Sequence, residues 1–191
     1  MSMLHDLKRV LFSILVSGIV FSSAVSAQST ALSEIKTYMT SPKQVGEGTL
    51  TYYGFKVYDA AYYISDEVGN PSFALRLNYA RKILSEDLVQ ATVKQMNLLG
   101  ASPSDIVKWQ AELEKIYPSV EPGHLITAIY QGNGTTTFLH NGKPTGRVSD
   151  PQFSKVFFGI WLDPKTSSPK LRAKLLGELC PPSMITASCI K

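Results

Sequence analysis

The stretch TLTYYGFKVYDAAYYI, Thr49–Ile64, decides the fold class. It is dense in β-branched and aromatic residues, which suit a pleated, half-buried surface. Gly54 in its middle marks a bend or bulge, so the stretch reads as a strand pair or as one long kinked strand. Just downstream, Phe73, Leu75, Leu77 and Tyr79 alternate with Ala74, Arg76 and Asn78, the period-2 pattern of a half-buried strand. Leu125–Tyr130, Thr135–His140 and Lys143–Val148 then predict an antiparallel meander. Its turns are Gly132-Asn133-Gly134 and Asn141-Gly142, the second being the strongest hairpin signal in the chain.

Helical patterns lie between and after these strands. Ala31–Tyr38 predicts a short helix. Ser85 is the expected N-cap of a helix with Glu86 and Asp87 in its first turn and Leu88, Ala91, Thr92, Gln95, Met96 and Leu99 on one face, ended by Gly100. Ser102-Pro103-Ser104-Asp105 opens a second, with the stripe Ile106, Trp109, Leu113 and Ile116, stopped by Pro118. Asp150-Pro151 opens a third, with Phe153, Val156, Phe157, Ile160 and Trp161. Ser168-Pro169 opens a fourth, with Leu171, Leu175 and Leu176, closed by Gly177. This order predicts an α+β fold, an open-faced antiparallel sheet with its helices packed on one face.

The chain has 191 residues and a formal net charge of +4, with 18% charged and 44% hydrophobic residues. These values exclude a disordered chain or a coiled coil and fit a single domain with a sizeable core. Met1–Ala27 reads as a secretory signal peptide: Lys8-Arg9, an apolar run from Val10 to Val25, and small residues before Gln28. The run is short for a bilayer span, although an uncleaved anchor is the alternative. No cysteine follows it, which argues against a lipoprotein. Cleavage removes two cations and Asp6, so +4 becomes +3 for a domain over 28–191 in the periplasm or the medium. That weak positive balance, the export and the lack of a basic stripe interleaved with aromatics argue against a nucleic-acid partner.

In an oxidising compartment Cys180 and Cys189, the chain's two cysteines, are expected to form one disulfide closing a Pro-rich tail. A loop of about ten residues is worth roughly 2–3 kcal/mol in the chain-entropy picture. The spacing is not that of a redox motif. Walker, GxSxG, HExxH and GxGxxG motifs are absent, so no cofactor is expected. His124 and His140 lack neighbours at ligand spacing and read as turn and strand residues rather than metal ligands. The glycines at 132, 134, 142 and 146 read as hairpin punctuation. Lys165, Lys170, Arg172 and Lys174 read as a solvated basic helix face.

Five of the nine tyrosines lie between Tyr52 and Tyr63. On an unbulged strand Tyr52 shares a face with Tyr58 and Tyr62. Rings with polar tips suit a pocket that holds an amphipathic ligand, and equally suit an ordinary sheet surface.

Gly54–Tyr63, Phe73–Tyr79 and the C-terminal FGIWLDP at Phe158–Pro164, followed by Leu171-Arg172 and Leu175-Leu176-Gly177, resemble the signature of the bacterial secreted chalcone isomerase-like family. The resemblance spans roughly Gly46–Gly177 and implies an open-faced β-sandwich whose helices cover a cleft. Catalytic members stabilise a phenolate and an enolate-like transition state with an arginine and hydroxyl donors. The arginine should stand in Val45–Thr49, which has none. The family threonine aligns with Tyr58, and the family tyrosine and asparagine align with Leu88 and Gln95. The resemblance therefore implies a non-catalytic relative that binds a fatty acid or similar hydrophobic ligand. The alternatives are an isomerase, an intramolecular lyase acting on a conjugated substrate, and an envelope protein without ligand. Tyr58, Tyr62, Thr92, Gln95 and Arg81 are the candidate contacts, with Lys82 as a second basic group.

Overall fold

The computed structural model describes residues 33–65 and 71–186. The expected leader and Cys189, one half of the expected disulfide, lie outside the described residues, as does the start of the predicted helix at Ala31.

Six antiparallel strands pair in sequence order: β1 (Lys43–Tyr52), β2 (Phe55–Ile64), β3 (Phe73–Tyr79), β4 (Leu125–Tyr130), β5 (Thr135–His140) and β6 (Lys143–Ser149). Thr49–Ile64 is thus a strand pair, and β1 reaches back to Lys43. Tyr53 and Gly54, both at positive φ (48° and 80°), form the two-residue turn between them. Asn141 and Gly142 (49° and 77°) make the same kind of turn between β5 and β6. The Gly132–Gly134 segment connects β4 to β5 as expected.

Four helices cover one face: α2 (Ser85–Leu98), α3 (Pro103–Ile116), α4 (Pro151–Leu162) and α5 (Pro169–Leu176). A helical turn over 33–36, α1, lies on the other face, where Ile35 and Met39 pack on Tyr63, Ala74, Ile129 and Leu139. Beneath it the Thr127 hydroxyl donates to Glu34 Oε1 at 2.9 Å, and Arg76 Nε lies 3.3 Å from the same oxygen. This small cluster closes part of the face that the period-2 pattern leaves outward. No helix of the described residues is long and apolar enough to cross a membrane.

Of the four helix openings, Ser102 and Asp150 make side-chain caps, and Ser168 holds the cap position without a side-chain bond. The Ser102 hydroxyl accepts from the Asp105 N–H (3.1 Å) and donates to its carboxylate (2.7 Å). The Asp150 carboxylate accepts from the N–H groups of Gln152 and Phe153. Ser85 is not a cap: Leu84 occupies that position, and the Ser85 N–H donates instead to Ser119 Oγ at 3.1 Å.

α4 is buried nearly all round, as its continuous apolar sequence requires. Phe153 stacks on Phe157 with centroids 5.5 Å apart, and Phe157 meets Trp161 edge-on at 5.4 Å. Gly146 is not hairpin punctuation. It lies inside β6, where a Cβ would come within 2.6 Å of Ile116 Cγ1, so it admits α3 against the sheet. Gly46 does the same for α5: a Cβ there would lie 2.2 Å from the Lys174 carbonyl oxygen. The basic face of α5 is only partly solvated, because Arg172 Nε donates to the Leu162 carbonyl at 2.8 Å.

Candidate functional site

A cavity of about 470 Å³ opens between the helical layer and the β1–β4 part of the sheet. That is the size of an ordinary small-molecule site. Its interior is apolar: Leu75 and Leu77 of β3, Ala128 of β4, Leu88 of α2, and Phe157 and Ile160 of α4 line it. Polarity rises along β3. Leu75, Leu77 and Tyr79 share one face of the strand by the two-residue repeat. Arg81, two residues further on, also lines the cavity, and it is exposed.

Tyr58 stands opposite Tyr79 in the β2–β3 register, with ring centroids 5.6 Å apart. Trp161 Nε1 donates to the Tyr58 hydroxyl at 3.0 Å. An indole N–H can only donate, so this contact leaves the phenol's own proton directed elsewhere. Burial pushes the Tyr58 hydroxyl up to about 12, against the opposing pull of the Trp161 hydrogen bond. Burial drives Tyr79 well above its ordinary range, and the Tyr117 and Tyr58 phenols add to it. Burial likewise raises Tyr117, which Thr92 contacts and pulls back. Three neutral phenols therefore line this wall, able to donate hydrogen bonds and unable to act as bases at neutral pH.

α2 supplies the opposite wall. The Thr92 hydroxyl lies 2.8 Å from the Leu88 carbonyl, to which it donates within the helix, and it also reaches Tyr117. Gln95 Oε1 accepts from Ser167 Oγ at 2.7 Å, linking α2 to the segment before α5 and leaving the amide N–H₂ as its remaining donor. Three cations, Arg81, Lys82 and Lys94, line the cavity against one carboxylate, Asp87. The Arg81 guanidinium carbon sits 5.7 Å from the centroid of the exposed Phe55 ring.

Four of the five candidate contacts, Tyr58, Thr92, Gln95 and Arg81, thus line one cavity. Tyr62 does not. It shares the Tyr58 face, but four residues along a strand is roughly 13 Å, and there it packs against Phe73, 2% exposed, in the core. Tyr52 lines the mouth and is 62% exposed, since the Tyr53-Gly54 turn leaves it at the end of β1 opposite Phe55, with Tyr58 on the returning strand opposite Leu50.

Tyr79, Tyr117 and Trp161 belong to the site and were not singled out by sequence for it. The even spacing of Tyr79 after Leu75 and Leu77 signalled the first. Nothing local distinguishes Tyr117, which follows the end of α3. His124 and His140 face each other at 3.3 Å between ring nitrogens, away from this cavity. Among the described residues no group of three or more His, Cys, Asp or Glu is placed to hold a metal ion.

Residues 43–177 match the model of the chalcone isomerase-like family. The fold is similar to that of a fatty-acid binding protein of Arabidopsis thaliana, with a TM-score of 0.58 and 14% identity, covering 71% of this chain and 87% of that one. An uncharacterized protein of Haemophilus influenzae is 25% identical over 104 residues, or 54% of this chain and 51% of that protein. The matched segment is therefore about half the length of that relative. With the family model covering every strand and the four helices that wall the cavity, the chain belongs to the chalcone isomerase-like family.

Proposed function

We propose that this protein binds a fatty acid, or an amphipathic molecule of the same build, without transforming it. The observation that carries the reading is the polarity gradient of the cavity, from Leu75 and Leu77 through Tyr79 and Tyr58 to Arg81. The acyl chain lies among Leu75, Leu77, Ala128 and Phe157. The carboxylate lies at the Tyr58 and Arg81 end, where a phenol and a guanidinium supply donors. The fatty-acid binding neighbour supports the ligand class through the shared fold.

Absence of turnover follows from the chemistry of the lining. Stabilising an enolate needs a preorganised charge in a dry site. The three cations here are exposed, and Asp87, the one carboxylate of the lining, is exposed as well. The leader-like Met1–Ala27 supports export with cleavage near Ala27, and the Cys180–Cys189 pair completes the tail in that compartment.

Displacement of a fluorescent fatty acid by palmitate tests the binding reading, together with mass spectrometry of lipid extracted from the purified protein. One-to-one displacement and a co-purifying fatty acid are expected. An empty protein that binds no fluorescent fatty acid would overturn the reading, and turnover of a conjugated enone would replace it with the isomerase alternative.

A further inference from the structure

The β1–β2 hairpin carries an exposed aromatic tip beside the mouth of the cavity. Tyr53 is 84% exposed, Phe55 65% and Tyr52 62%. The Tyr52 and Tyr53 rings meet edge-on at 4.5 Å, and Phe55 is the strand partner of Tyr52 across the turn, so the three sit together at the tip. Soluble surfaces rarely group bulky aromatics this way without a partner.

The turn itself is unfavourable for the residue it holds. A two-residue turn of this type needs positive φ at both positions, and Asn-Gly is the preferred pair. The β5–β6 turn uses Asn141-Gly142, with φ of 49° and 77°. The β1–β2 turn has nearly the same angles, 48° and 80°, with a tyrosine where asparagine belongs. A bulky residue in the left-handed region is strained. The hairpin thus holds an exposed ring at a position where backbone sterics select against one. Strain of this kind points to a use for the side chain.

The charge around the tip indicates the partner. Arg81 lies over the Phe55 ring, Lys82 follows it, and among the described residues neither makes an ion pair. Lys56, next to Phe55, is paired with Asp59. Aromatic rings with polar edges set beside unpaired cations match the interface of an anionic bilayer, where tyrosine rests at headgroup level and arginine and lysine meet lipid phosphates. Tyr52 and Arg81 belong to both the patch and the cavity lining. We propose that the Tyr52–Phe55 hairpin, with Arg81 and Lys82, docks the protein on an anionic lipid surface and sets the cavity mouth against it. This goes beyond ligand binding and holds whichever amphipathic ligand the cavity takes.

A tryptophan placed at the tip by Tyr53→Trp reports docking directly, in the full chain and without ligand, as the emission difference from the parent protein. Vesicles of equal parts phosphatidylcholine and phosphatidylglycerol should shift that difference to the blue and protect it from acrylamide. Phosphatidylcholine alone should do so much less. Arg81→Glu with Lys82→Glu should weaken the phosphatidylglycerol response about tenfold or more. In a second variant, Tyr53→Asn should raise the unfolding temperature, because the turn then holds its preferred residue. The same variant should slow transfer of a fluorescent fatty acid to anionic vesicles while affinity in their absence stays unchanged. An emission difference indifferent to vesicles, or one equal for charged and neutral vesicles, would overturn the proposal. So would a blue shift that follows protein concentration instead of lipid, which would mark the tip as a contact between copies of the chain.

Discussion

Trp161 Nε1 donates to the Tyr58 hydroxyl across 3.0 Å, joining α4 to the second strand of the sheet at the wall of the cavity. The indole N–H can only donate, so the phenol accepts here and keeps its own proton to donate elsewhere. Tyr58→Phe removes both functions. The buried indole N–H loses its partner, which costs about 1–3 kcal/mol, and thermal or denaturant unfolding should register it. Affinity for palmitate should fall about tenfold in a displacement titration, the loss of one charge-assisted hydrogen bond. Unchanged affinity would mean that the carboxylate does not reach β2.

Arg81 is exposed, so its contribution to binding is that of a surface ion pair, about 1 kcal/mol or less. Arg81→Ala should weaken palmitate binding by up to about fivefold at low salt, and the difference should shrink as salt is added. The methyl ester of palmitate, which carries no charge, should bind parent and variant alike. Titrations of both ligands at two ionic strengths check this.

Ala128 lines the cavity with its side chain 3% exposed. Ala128→Phe should fill the space proposed for the acyl chain and abolish fatty-acid binding. Added bulk usually costs about 1–3 kcal/mol in a close-packed core. Here the ring enters existing space, so the unfolding temperature should hold or rise. A variant that loses stability and keeps binding would place the ligand elsewhere.

Gly46→Ala tests the seat of α5. Its Cβ would meet the Lys174 carbonyl oxygen at 2.2 Å and that of Leu175 at 2.6 Å. Both are backbone atoms and cannot swing aside, so the variant should lose about 1–3 kcal/mol or more. Thermal unfolding measures it.

Asp150 is an acid-sensitive group. Burial raises its carboxyl, but hydrogen bonds from Lys108, Trp109 and the N–H groups of Phe153 and Gln152 outweigh this and hold it at about 2. Its folded value lies below the unfolded 3.8, so its stabilisation is present above about pH 4 and lost as pH falls toward 2. Asp150→Asn should lose stability at neutral pH and show a flatter stability profile between pH 4 and pH 2.

Much of this architecture was legible in the sequence, for physical reasons. The alternation at Phe73–Tyr79 and the Asn141-Gly142 turn specify strands and register locally, and the Pro and cap residues at Ser102 and Asp150 specify where helices begin. Thr49–Ile64 was ambiguous because Tyr53-Gly54 is an atypical turn pair, and a single glycine fits both a bend and a hairpin. Ser85 is not the cap because the helix begins one residue earlier, with Leu84 at the cap position, and the Ser85 N–H is satisfied by Ser119, from beyond α3, which no local pattern encodes. The site was half legible. Spacing along α2 placed Thr92 and Gln95 together, whereas the Trp161 bond to Tyr58 joins residues more than a hundred positions apart. Tyr62 was misplaced because a shared strand face says nothing about where along the strand a cavity ends.

We propose a cavity that holds a fatty acid with its carboxylate at Tyr58. The most direct measurement is the carbon-13 resonance of carboxyl-labelled palmitate in the presence of the protein. A single bound resonance should appear at one equivalent, shift in Tyr58→Phe and vanish in Ala128→Phe. No bound resonance, or one that is identical in all three proteins, would contradict the account.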